Sequence, residues 1–361
     1  MTTPWQRFWQ QPWIRPAVGI LAVLYLGVAL AEVIAPYSPQ TIHAQGSLLP
    51  PTAIYWQGGW PYVYPTVQGP VDRITGEQAV VEDRSQAVPL GFWVKGDPYR
   101  WLGVFPGDRH VFGPQSPVAH WHLLGTDEQG RDTLSRLIYG SRISLLVGFV
   151  GIGLTFPLGV GIGTWSGYVG GWTDGILMRL TEVLMSIPSL YLLVALAAVL
   201  QVNPLTQVPF SNAERFVIIV AITSLVNWAG LARVIRGQVL SLRSRDYVLA
   251  ARMMGVSSWG ILWRHIIPQT TTYVLISATL AIPGFMAAEA VLSLIGLGIQ
   301  QPDPSWGNML SLATSATIMV LHPWLVAAPA GLIILTSLCF NVIGDGLRDA
   351  LDPRQVTSAA E

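Results

Sequence analysis

Tyr247–Pro268, YVLAARMMGVSSWGILWRHIIP, is an arginine-bearing polar segment set between two long apolar runs, 216–236 and 271–299. A helix needs about 20 apolar residues to cross roughly 30 Å of hydrocarbon, so the segment reads as a loop held at a membrane surface by the crossings on either side. Ala250, Ala251 and Gly255 supply small residues at i, i+1 and i+5, which suits a short helix that seats closely in a cleft of a partner. Gly255 breaks that helix and lets the chain turn, and Pro268 is expected to stop the following segment at the membrane border. The plainer reading of the same stretch is a basic loop that only holds the topology.

Working outward, 51% of the residues are apolar and 11% are charged. The apolar residues are bunched into six runs of spanning length: 17–35, 143–165, 175–201, 216–236, 271–299 and 324–344. The expected fold is therefore an all-α polytopic membrane protein with six transmembrane helices, and a soluble domain with one buried core is excluded. The first run follows Arg7 and Arg15, is too long for the apolar part of a signal peptide, and lacks a small-x-small cleavage site over Glu32–Pro36, so it reads as a retained signal-anchor. Arg7, Arg15, Arg348 and Arg354 flank the first and last runs, and the central loop holds Arg243, Arg245, Arg252 and Arg264 against Asp246. The excess of arginine places both termini and that loop in the cytoplasm.

Five parts follow. Residues 1–35 form a cytoplasmic tail and the first crossing. Residues 36–120 form a mostly non-helical, aromatic-rich extracytoplasmic insertion, with Trp56, Trp60, Trp93, Trp101, Tyr55, Tyr62, Tyr64 and Tyr99 as its expected core. Residues 121–142 read as an amphipathic helix in the interface, with Leu134, Leu137 and Ile138 at helical spacing and Arg131, Arg136 and Arg142 solvated or on lipid phosphates. Residues 143–347 hold five crossings and the loop 237–270, and 348–361 is a cytoplasmic tail.

Ionisable side chains inside crossings are functional candidates, because a charge at the bilayer centre costs about 2.5–3.5 kcal/mol on the mildest scale. Glu289 in the fifth crossing is the best placed, either lining a pathway or hydrogen-bonded to Asn227 or a serine. Glu182 has Arg179 three residues away to neutralise it. Pro188 and Pro283 lie within crossings, as bends for a moving pathway or as static kinks. The single cysteine, Cys339, excludes an internal disulfide, and the six histidines show no metal-ligand spacing. The one lysine, Lys95, is followed by glycine, so the chain has no phosphate-cradling loop of its own and any ATPase is separate. The arginines beside crossings mark topology in preference to nucleic-acid binding.

Four stretches carry a resemblance. HLLGTDEQGRD (122–132), continuing through Ser135-Arg136 and YGSRIS (139–144), is similar to the start of the permease domain in binding-protein-dependent ABC importers of dipeptides, oligopeptides and nickel. So are the loop at 247–268, LSLIGLGIQ (292–300) with Pro302 and PSWGN (304–308), and FNVIGDGLRDALDPR (340–354). The chain most resembles the C-type permease of those systems, over roughly 120–354. That resemblance implies the type I permease fold and half of a translocation pathway, with peptides as first cargo and nickel chelates, opines or sugars behind them. It implies coupling through Asp246, Tyr247, Ala250, Ala251, Gly255 and Pro268. The implied partners are a homologous permease, two ATPases that hold ATP and Mg, an extracytoplasmic substrate-binding protein and membrane lipid, with no cofactor on this chain. One departure is Leu249, where the family pattern has glutamate. Two rivals stay open: an ion-coupled secondary transporter using Glu289 and Glu182, and a non-transporting anchor for an ATPase. Ala251→Glu is expected to separate the three.

Overall fold

The computed structural model describes residues 3–43, 46–57, 59–71, 78–101, 103–116, 120–199 and 208–351. The end of the third apolar run at 200–201 and the tail with Arg354 lie outside them. In chain order the elements are α1 (Pro4–Gln10), α2 (Ile14–Ala29), α3 (Ala31–Ile34), β1 (Tyr55–Gln57), β2 (Trp60–Val63), β3 (Thr66–Val71), β4 (Gln78–Glu82), β5 (Val88–Trp101) and β6 (Phe105–Pro114). Then come α4 (Thr133–Val169), α5 (Gly171–Ser186), α6 (Ser189–Val199), α7 (Asn212–Leu242), α8 (Asp246–Met253) and α9 (Ser258–Ile261). After a π-helical turn, Leu262–Ile266, follow α10 (Ile267–Leu294), α11 (Trp306–Met309), α12 (Ala316–Leu321) and α13 (Trp324–Leu351).

The chain is mostly helical, with a strand-built insertion after its first helices. Among the described residues, Thr133–Val169, Asn212–Leu242, Ser258–Leu294 and Trp324–Leu351 are each long and apolar enough to cross a membrane. The first and third expected crossings fall on bent pairs: α1 with α2 at 86°, and α5 with α6 at 88°. The second bend has a local cause. Ile187 is extended (φ −92°, ψ 126°), as a residue before proline prefers, and Pro188 has no N–H to continue the ladder. Counting each bent pair as one span brings the number from four to six.

Two compact units are distinguished, Leu21–Leu145 with Ser293–Ile334, and Met1–Ile20 with Leu146–Leu292 and Leu335–Glu361. In the first, a four-stranded antiparallel sheet runs in the order β1-β2-β5-β6, and β3 and β4 form a separate hairpin. Its core is Tyr37, Val63, Val88, Leu90 and Trp121. None of the eight aromatics expected as core is buried. Trp56 and Trp60 are about seventy per cent exposed and Trp93 is 56% exposed, while Tyr55, Tyr62 and Tyr64 cluster ring to ring at 5.3–5.7 Å on a half-exposed face. So small a sheet gives each strand two faces and covers only one, and aliphatic residues with flanking Tyr37 and Trp121 fill that side.

The interfacial helix expected at 121–142 is likewise corrected. Residues 122–132 form a tight turn closed by a Thr126–Asp132 bridge, and from Thr133 one continuous helix of 37 residues runs to Val169, about 55 Å long at 1.5 Å per residue. Arg131 and Arg136 are not on lipid: their side chains are 4% and 2% exposed. Asp127 takes Arg131 Nε at 2.8 Å and Nη2 at 2.7 Å and lies 3.4 Å from Arg136 Nε. Arg136 also donates to the carbonyls of Pro39 and Pro302 and to Gln301 Oε1. Asp132 accepts from His122 Nδ1 at 2.9 Å and from the Ser135 amide and hydroxyl at 2.7 Å each, so it caps the first turn of α4. Arg142 pairs with Glu32 at 2.5 Å. Acids of the same chain, Asp127 from the motif and Glu32 from α3, out-compete lipid phosphates because their charge-assisted bonds are intramolecular and pre-aligned.

PSWGN docks on the same helix. Trp306 is fully buried; its indole donates to the Leu137 carbonyl and its amide to Ser144 Oγ, each at 3.0 Å. Gly140 lies against the Ser305 backbone, where a β-carbon would come within 3.3 Å.

In the second unit, α4 packs through glycines. Gly159, Gly163 and Gly167, one turn apart, face Leu231, Ala232 and Arg236 of α7, whereas Gly148 and Gly151 face Ile282 and Phe285 of α10. Small residues at this spacing let helix backbones approach where water supplies no driving force between them. Phe8 of α1 and Ile14 of α2 pack with Leu347 and Ala350 of α13.

Candidate coupling loop and transport cavity

Between α7 and α10 the loop folds as two short helices with a reversal between them. Asp246 stands in the first turn of α8, where a carboxylate favours the positive end of the helix dipole. Gly255 ends α8 in the left-handed region at φ +77°. The Gly255 amide donates to the Arg252 carbonyl and the Val256 amide to the Ala251 carbonyl, each at 3.1 Å. This pair of bonds is the Schellman closure that glycine permits. Ser257 Oγ then accepts from the Gly260 amide and starts α9.

α8 has two faces of different character. Val248 and Ala251, 2% and 1% exposed, enter a cluster with Tyr168, Ile235, Val239, Ile261, Leu262 and Ile266. Tyr247, Leu249, Met253 and Met254 point out at 43%, 43%, 89% and 77% exposure, and Asp246, Ala250 and Gly255 are exposed with them. Grouping Ala250 with Ala251 as one docking surface is therefore corrected. They are neighbours separated by about 100° on a helix, and Ala251 is small because it packs on α7. The sequence reading missed Met253, Met254, Trp259 and Trp263, all more than half exposed. Their signal was present as large apolar residues in a segment too short to span.

Pro268 does not stop the segment. The helix runs from Ser258 to Leu294, and the turn before the proline widens to π, with the Ile267 amide donating to the Leu262 carbonyl. A wider turn takes in a ring that would clash with an ordinary α-helical carbonyl.

A cavity of about 520 Å³ opens between α4, α6, α7 and α10. Its polar lining is Thr155, Ser189, Asn227, Tyr273 and Ser277, and among the described residues no charged side chain contributes. Asn227 Nδ2 donates to the Thr223 carbonyl at 2.9 Å. Glu289 is fully buried and is not part of this wall; its neighbours Ala287 and Ala288 are. Glu182 is half exposed, pairs with Arg179 at 3.1 Å as its spacing suggests, and has Arg233 of α7 at 4.0 Å. Of the three, Asn227 lines the cavity, Glu289 is buried, and Glu182 stands in an exposed ion pair.

Comparison with known proteins gives the context. Residues 159–357, more than half of the chain, match the model of the binding-protein-dependent transport system inner membrane component family. The oligopeptide transport system permease protein OppC of Haemophilus influenzae is 44% identical over 247 residues, 68% of this chain and 75% of that protein. The dipeptide transport system permease protein DppC of Bacillus subtilis is 42% identical over 66% of this chain and 70% of its own. The glutathione transport system permease protein GsiD of Pectobacterium atrosepticum is 38% identical over 74% and 83%. The chain belongs to the family of inner membrane components of binding-protein-dependent transport systems, and is a multi-pass permease subunit that is not itself an ATPase.

Proposed function

We propose that this permease forms half of a peptide pathway, with a homologous permease as the other half. The outer face of α8 engages one of two ATPases, which hold ATP and Mg, while a substrate-binding protein delivers cargo from the opposite side. Both termini and the 237–270 loop are cytoplasmic in this arrangement. The observation that carries it is the division of α8: one face is satisfied within the chain, and the other presents Leu249, Met253 and Met254 to water. Such a set of apolar side chains at a loop tip marks an interaction surface. Peptide cargo is supported by the names of the relatives and by the cavity wall. Hydroxyls and one amide hydrogen-bond a peptide backbone without selecting the charge of its side chains. Leu249 in place of glutamate gives the ATPase contact an apolar character.

The test is purification of the tagged chain from its native membrane in mild detergent, as parent and as Ala250→Glu. The expected result is stoichiometric recovery of a second permease and an ATPase with the parent, and loss of the ATPase alone with the variant. Recovery of the parent chain without an ATPase, still transporting peptide in vesicles, would sink the proposal.

A further inference from the structure

We infer that Asp174, through Arg236, is a positioning residue that makes the α4–α5 turn follow α8. The inference rests on the coupling role proposed above for α8. One carboxylate ties three helices. Asp174, in the first turn of α5, accepts from Arg236 Nε of α7 at 2.6 Å and Nη2 at 2.5 Å, and from Ser166 Oγ of α4 at 2.5 Å. The pair is mostly withdrawn from water, at 15% and 30% side-chain exposure. This bidentate geometry fixes direction as well as distance.

Two further contacts hold the same turn. Arg243, which ends α7, donates from Nη1 to the Gly167 carbonyl at 3.0 Å, satisfying a carbonyl that the end of α4 would otherwise leave without a helical partner. Arg252 of α8 lies 5.6 Å over the ring of Tyr168, and that ring is buried in the cluster that holds Val248 and Ala251. The chain reverses through Gly170 and Gly171 at φ +69° and +62°, so the turn itself supplies little stiffness. α8 thus reaches the end of α4 through Tyr168, and Asp174 is the charged tie from that end to α5, beside the apolar packing of Leu184 on Trp228, Ala229 and Ala232. Without the carboxylate, the start of α5 loses its directional link to the turn, and α5 with the α6 wall of the cavity follows α8 less closely.

The experiment uses the whole complex purified through the tagged chain and placed in proteoliposomes. It is supplied with its co-purified binding protein and a defined tripeptide mixture, with uptake read by mass spectrometry of the lumen. Parent, Asp174→Asn, Asp174→Glu and Ser166→Ala are compared for ATPase content, ATP hydrolysis and import. For Asp174→Asn we expect unchanged ATPase content, retained basal hydrolysis, and an import per ATP lowered by about tenfold, the scale of coupling between distant sites. Asp174→Glu should restore most of it, and Ser166→Ala should fall between. Parent-like import per ATP in Asp174→Asn, or an equal fall of hydrolysis, import and recovered complex that glutamate does not rescue, overturns the inference. Should Asp174→Asn fail to assemble, Ser166→Ala decides, and parent-like coupling in it overturns the inference. Failure of the underlying reading shows separately, as a parent complex that contains no ATPase.

Discussion

Gly163 of α4 lies so close to Ala232 of α7 that a β-carbon at 163 would overlap the Ala232 carbonyl oxygen, whereas Gly161 on the same helix faces open space. Gly163→Ala should therefore force the helices apart at a cost of about 1–3 kcal/mol, and Gly161→Ala should cost nothing. Thermal melting of the detergent-solubilised complex checks both, and equal midpoints would refute the close approach.

Ala251 and Ala250 should part company when each is changed to glutamate. A carboxylate at 251 enters the apolar cluster under α8 and is expected to unseat the loop, loosening the backbone beside the exposed Arg245 and Arg252 so that trypsin cuts there faster. At 250 it stays in water, so proteolysis should match the parent while ATPase recovery falls. Ala251→Glu thus reports packing within this chain, and the docking experiment belongs to position 250.

Asp127→Ala leaves two buried guanidiniums without their carboxylate. Breaking a buried pair in this way costs about 3–5 kcal/mol, which should appear as a large fall in melting temperature. Arg84→Ala removes an exposed partner of Glu82 and should change stability by less than about 1 kcal/mol.

His43 and His120 lie with ring centres 4.1 Å apart and planes tilted by 48°, and Tyr37 and His122 complete the cluster. Burial, then the neighbouring imidazoles, holds His43 down to about 4 from its ordinary 6.5, against a weaker opposite pull from Asp132 and Asp97. Burial also lowers His120. The folded chain refuses protons that the unfolded chain accepts, so this contribution to stability is complete above about pH 6.5 and is lost as pH falls towards 4. Melting temperature should drop over that interval, and His43→Gln should flatten the drop. A parent profile flat between pH 6.5 and 4 would contradict the arrangement.

Much of the helical frame was legible, because apolar runs at 143–165, 216–236 and 324–344 announce their own spans. The Glu182–Arg179 pair was legible for the same local reason, a three-residue spacing on one helix. What sequence alone did not give is whatever depends on partners distant in the chain. Arg131 and Arg136 look like interfacial charges until Gln301, Pro302 and Pro39 are brought to them. His43 lies far in sequence from His120 and His122, so spacing rules cannot group it with them. Glu289 carries a charge type that invites a pathway role, yet the side of α10 that faces the cavity is set by how α4 and α7 pack.

The divided helix α8 has a consequence for how such systems diversify. Its inner side chains answer to the geometry of their own subunit, and in the docking role proposed above its outer ones answer to a different polypeptide. The two sets can drift independently. A permease of this design could be re-addressed to another motor by exchanging Leu249, Ala250, Met253 and Met254, with the membrane-spanning frame left as it is.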